Sequence, residues 1–132
     1  MVEGLLTIES KRGFAETLAG YEAGLAARGI TVFARIDHAA GARSAGLELR
    51  PTTALIFGNP KTGTGFMQAA QSAGIDLPLK ALISEPENGM ISISHNDPPW
   101  VARRHGIGPE LEPAIHGMQQ LLAALAKEAA GL

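Results

Sequence analysis

Phe14, Leu18, Tyr21 and Leu25 recur at helical spacing, while the apolar residues on either side of them alternate instead. Before this stripe Leu6 and Ile8 oppose Thr7 and Glu9; after it Val32, Ala34 and Ile36 oppose Thr31, Phe33 and Arg35. A helical period between two twofold periods reads as strand, helix, strand, and strict alternation gives each strand one buried and one open face. Gly29 after Arg28 supplies the left-handed stop that ends such a helix.

The pattern continues along the chain. Asp37 precedes an alanine-rich segment, His38 to Ala45, whose first turn its carboxylate can cap. Thr53 to Phe57 forms a mostly apolar strand, a glycine-rich loop follows, and Phe66 to Ala73 is expected to be helical up to Gly74. Leu79 to Ser84 and Met90 to Asn96 are two strands joined by EPENG, a hairpin connection. Asp97 is expected to cap a short helix opened by Pro98 and Pro99 and ended by Gly106, and Leu111, Ile115, Met118, Leu122 and Leu125 mark one face of a longer helix. Together these elements predict an α+β fold, a two-layer sandwich with a mixed, largely antiparallel sheet and its helices packed on one face. The uncovered face would carry Thr7, Glu9, Phe33, Arg35, Ser92 and Ser94, a mixture that invites a partner subunit or a ligand. With 132 residues, no repeat and no linker, a single domain over 1–132 is expected.

Several function classes fall away on charge and composition. A net charge of −2 with scattered Lys and Arg lacks the electrostatic footprint of a nucleic-acid binder. The absence of cysteine removes disulfides, thiolate metal sites and cysteine nucleophiles. No apolar run reaches the length of a membrane span, and the opening MVEGLLTIES has an acid where a signal peptide needs positive charge, so a soluble, cytoplasmic protein is expected.

The stretch LIFGNPKTGTGFMQAA has the outline of a nucleotide loop. Gly58 and Gly63 have the spacing of a phosphate loop, but Thr64 stands where lysine is needed and Lys61 lies inside the loop. The dinucleotide pattern fails as well, because Gln68 occupies its third glycine position. A turn with a threonine cap is the simpler reading, with a helix start that can hold a plain anion. No G-x-S-x-G elbow occurs, Ser44, Ser72, Ser92 and Ser94 have no activating sequence context, and Glu85 and Glu87 read as exposed charge in the hairpin turn.

The segments IDHAAGARSAGLEL, TALIFGNPKTGT, FMQAAQSAGIDLPLKALI and SHNDPPWVARRHGI, in this order, resemble the family called domain of unknown function 302 over most of the chain. The resemblance implies a small two-layer α+β domain with a TATA-binding-protein-like arrangement of sheet and helices, assembled as a dimer, and no established activity. The family's recurrent polar residues map to Asp37, His38, Asn59, Pro60, Lys61, Lys80, Asn96, Asp97 and His105. His95 departs from the pattern, standing where the family commonly has Tyr before Asn-Asp-Pro.

Most of these polar residues have a structural explanation in capping or turn chemistry. Two functional readings compete with it. One is a homodimeric binding module in which Asn59, Lys61, Lys80, Asn96 and His105 hold a small molecule, a carboxylate or phosphate ester among the candidates, with Asp37, His38 and Asp97 as further ligand-binding candidates. The other is a metal-assisted or acid-base enzyme in which His38, His95 or His105 works with Asp37 or Asp97. A protein-interaction module without a small ligand is a third possibility. No catalytic constellation and no cofactor follow from the residues themselves.

Overall fold

A computed structural model describes residues 2–132. Its strands are β1 (Leu5–Glu9), β2 (Thr31–Asp37), β3 (Thr52–Gly58), β4 (Leu79–Ser84) and β5 (Ser92–Asn96). Its helices are α1 (Phe14–Ala27), α2 (His38–Ser44), α3 (Pro60–Ala69), α4 (Pro98–Arg104) and α5 (Glu112–Ala130), with short 3-10 turns at Gln71–Ile75 and Pro109–Leu111. The strands form one five-stranded sheet in the order β1-β5-β4-β3-β2, and all four pairings are antiparallel.

Helices α1 and α5 cover one face. Leu18, Tyr21 and Leu25 from α1 and Leu122, Leu125 and Ala126 from α5 meet Leu55, Phe57, Ala81, Ile83 and Ile93 of the sheet in the main core. The Tyr21 and Phe57 rings sit 5.8 Å apart and tilted at 53°, a separation within the range of favourable aromatic pairs. The two helices approach closely because small residues line their contact. A Cβ on Gly24 would lie 3.1 Å from Leu125, and one on Gly20 would lie 3.3 Å from the Ala129 backbone. A second cluster, built from Phe66, Ala73, Ala102, Ile115 and Met118, ties α3 and α4 to the first half of α5.

Several expectations are corrected. Strand β2 does not alternate regularly, because a bulge lies between Val32 and Ala34. Val32 pairs with Phe57 and Arg35 with Leu55, so Arg35 lies on the helix-covered side, where its guanidinium meets Glu22 of α1 at 3.3 Å. Phe33 is the extra residue of the bulge, and beyond it Ala34 and Ile36 occupy the open face. Thr7, Glu9, Ser92 and Ser94 lie on that face as the alternation predicts, with the Thr7 and Ser94 hydroxyls hydrogen-bonded at 2.8 Å.

The glycine-rich stretch is a helix and not a loop. α3 begins at Pro60, so Gly63 and Gly65 lie within it, and it ends at Ala69 before the 3-10 turn. Two glycines weaken a helix by roughly 1 kcal/mol each relative to alanine. Three features offset this: the Asn59 carboxamide oxygen accepts from the Lys61 amide at 2.9 Å, Pro60 fixes the first helical residue, and Phe66 is buried.

Asp97 is the third correction. It holds the position before α4, yet its side chain makes no capping hydrogen bond. A cap accepts from the amide of the second or third helical residue, and the second here is Pro99, which has none.

Candidate functional site

Strand β3 ends at Gly58, Asn59 follows it, and α3 begins at Pro60 and packs its Phe66 against Ile115 and Met118 of α5. A cavity of about 540 Å³ opens between this corner, the first half of α5, the approach to β4 and the bulge of β2. Ile30, Phe33, Phe57, Met67, Leu77, Leu79, Met118 and Leu121 supply apolar walls, and Asn59, Thr62 and Thr64 supply the polar groups. Two glycines keep the space open. A Cβ on Gly117 of α5 would meet nothing within 4 Å, and one on Gly63 of α3 would meet only the end of Met67 at 4.0 Å. Volume and lining both fall in the range of small-molecule sites.

The electrostatics of the α3 start are weaker than a bare helix end provides. Pro60 has no N–H, the Lys61 amide is taken by Asn59, and the Gly63 amide donates to the Asn59 carbonyl at 3.1 Å. Thr62 alone is left to offer a free amide from the first turn. Lys61 is exposed beside it.

A second polar assembly lies where the 3-10 turn at Gln71–Ile75 meets the end of α4. Asp76 is its centre. Its two carboxylate oxygens both accept from Nη1 of Arg104 at 2.9 Å, and Oδ2 faces Nε2 of His105 at 2.6 Å. The other ring nitrogen, Nδ1, lies 2.8 Å from the Ser72 hydroxyl. Burial works to raise the Asp76 carboxyl, but the His105 hydrogen bond and the Arg104 charge outweigh it and hold the group below the usual carboxylate range. Lys80 and Asn96 line a narrow crevice with Asp76, and Lys80 Nζ donates to the Pro78 carbonyl at 3.2 Å. This crevice shares Leu77, Leu79 and Met118 with the larger cavity.

The candidates therefore fall into separate places. Asn59 lines the cavity with Lys61 next to it in the chain, and Lys80, Asn96 and His105 gather around Asp76. Asp37 and His38 are elsewhere, because Asp37 pairs with Thr53 at the start of β3 whereas Asn59 follows its end. Asp37 caps α2 by accepting from the Ala40 amide at 2.9 Å. His95 is buried on the helix-covered side of β5, paired with Leu6. No group of three His, Asp or Glu side chains among the described residues is placed to hold one metal ion.

Asp76 is not singled out by the sequence, and Ser72 is set aside there because its neighbours in the chain give it no activating context. Neither belongs to a spacing motif with His105, since the contacts span 29 and 33 residues. Phe33, Gly63 and Gly117 were equally hidden as cavity residues, because what they contribute is shape.

Residues 6–125 match the family described as Domain of unknown function DUF302. Two similar proteins are named Fluoride-specific ion channel FluC 1. The one from Brucella suis biovar 1 is 44% identical over 128 residues, covering 97% of this chain and 50% of that protein. The one from Brucella abortus biovar 1 is also 44% identical over 128 residues, covering 97% of this chain and 47% of that protein. The chain thus spans about half the length of these relatives. Among solved structures, an uncharacterized conserved DUF302 protein from Bacillus stearothermophilus superposes with a TM-score of 0.83 at 22% identity, covering 97% of this chain and 99% of that one. That likeness carries the fold. No helix among the described residues is long and apolar enough to cross a membrane.

Proposed function

The chain belongs to the DUF302 family, and from that premise we propose that it is a homodimeric, cytoplasmic binding module whose ligand is a small molecule held between α3 and α5. The observation that carries this reading is the cavity of about 540 Å³, kept open by glycines on both facing helices. Its walls suit a mostly apolar body. Its polar groups sit at one end, where the Asn59 carboxamide, the Thr62 amide and hydroxyl, and the nearby Lys61 can receive a single polar or anionic head.

A free phosphate or nucleotide fits poorly. It would need several amides at once, and the first turn of α3 leaves one. Fluoride, the ion in the names of the Brucella relatives, fits this cavity poorly too. A small, strongly hydrated anion loses more on entering an apolar space than three scattered polar side chains return.

The test is a thermal-shift screen of small aromatic and aliphatic carboxylates against the wild type and Gly117→Leu. Ligand-dependent stabilisation of the wild type that the variant lacks is the expected result. Equal shifts in both proteins would place binding elsewhere, and silence in both would favour the protein-interaction alternative.

A further inference from the structure

Outside the cavity, Ser72, His105 and Asp76 form a chain of three hydrogen-bonded side chains that ends at the surface. The His105 side chain is 6% exposed and that of Asp76 12%, whereas Ser72 is exposed. An ionised carboxylate only accepts hydrogen bonds, so the contact of 2.6 Å places the proton of a neutral ring on Nε2. Nδ1 then carries the lone pair and accepts from the Ser72 hydroxyl at 2.8 Å. Asp76 is itself fixed by Arg104, whose guanidinium lies 5.9 Å from the centre of the Trp100 ring. Nucleophile, base and orienting carboxylate are therefore in hydrogen-bond sequence, with the hydroxyl at the accessible end.

We propose that Ser72 is an acyl-accepting nucleophile, with His105 as its general base and Asp76 and Arg104 as positioning residues. The substrate class is a small acyl donor with a good leaving group, an aryl ester or a thioester. A compact acyl group suits a hydroxyl that stands at the surface. In the first step the Ser72 oxygen attacks the acyl carbon while its proton passes to Nδ1 of His105. The bond to the leaving group breaks, and that group departs with the proton. Water then attacks the Ser72 ester, His105 takes a proton from the water and returns it to the Ser72 oxygen, and the free acid leaves.

The test is exposure of the full chain to p-nitrophenyl acetate, with peptide mapping by mass spectrometry and optical detection of p-nitrophenolate. Acetyl-Ser72 should appear in the wild type and form at least about a hundredfold more slowly in His105→Gln, the lower end of what a positioned base contributes. Ser72→Ala, which alters an exposed side chain, should keep the native circular dichroism spectrum and lose most of the p-nitrophenolate release. Acetylation confined to lysines and the N-terminal amine, with Ser72→Ala releasing p-nitrophenolate at the wild-type rate, would overturn the assignment. Neither result depends on whether the cavity takes a ligand.

Discussion

Asp97 follows His95 by two residues, and neither Oδ1 of the first nor Nδ1 of the second has a hydrogen-bond partner, although both atoms are buried. Two prolines explain half of this. Pro98 and Pro99 remove the amides that a carboxylate before α4 would ordinarily find first. Asp37 is the contrasting case, since α2 opens without proline and the Ala40 amide is available to it.

The two aspartates should therefore respond differently to truncation. Asp37→Ala should cost about 1 kcal/mol through the lost cap. Asp97→Ala should stay within about 0.5 kcal/mol of the wild type, because no hydrogen bond is lost with the side chain. Urea midpoints at neutral pH measure both, and an Asp97→Ala penalty as large as that of Asp37→Ala would show that the carboxylate has a partner in solution.

His95 makes stability depend on pH. Burial opposes its protonation and outweighs the neighbouring Asp97 charge, so its pKa lies below the ordinary histidine value. The unfolded chain takes up a proton near pH 6.5, where the folded protein resists it. The contribution is thus fully present above about pH 6.5 and is lost as the pH falls below it. Urea midpoints taken across this range should drop towards acid in the wild type and drop less in His95→Gln. Asp76, whose pKa is also depressed, acts in a lower window, below about pH 4, and does not obscure the comparison.

Assembly should run through the open side of the sheet. Ile36 is 40% exposed there and pairs with Ala54, while Ala34 beside it on the same face pairs with Ile56. Light scattering at micromolar concentration should give a dimer mass for the wild type and a monomer mass for Ile36→Lys, with unchanged circular dichroism. A monomer mass for the wild type would remove the dimer from the proposal.

Local patterning made most of this fold legible. The first helical stripe, the β4 strand and the apolar face of α5 needed only periodicity, and Gly29 and Asp37 marked ends through local backbone chemistry. Three features depended on more than that. The bulge at Phe33 shifts the phase of β2 through pairing with β3, which alternation within one strand does not encode. Helix α3 forms across Gly63 and Gly65 because Asn59, Pro60 and buried Phe66 hold it, against the usual meaning of clustered glycine. The candidate sites were legible only in fragments. Asn59, Lys80 and His105 were visible as polar residues of a resembling family, but their partners were set by tertiary contact. Asp76 reaches His105 across 29 residues, and Gly117 shapes the cavity by lacking a side chain.

The claim that α3 and α5 enclose a ligand site is tested most directly by titrating the wild type and Gly117→Leu with the dye anilinonaphthalene sulfonate, which joins an apolar body to one anionic head. The substitution places a side chain in open space and replaces glycine within a helix, which on its own raises helix stability by roughly 0.5 to 1 kcal/mol. The wild type should bind one dye per chain with saturable fluorescence, and Gly117→Leu should lose that signal while unfolding at the same or a higher temperature. Saturable binding of equal strength in both proteins, or none in the wild type, would contradict the account.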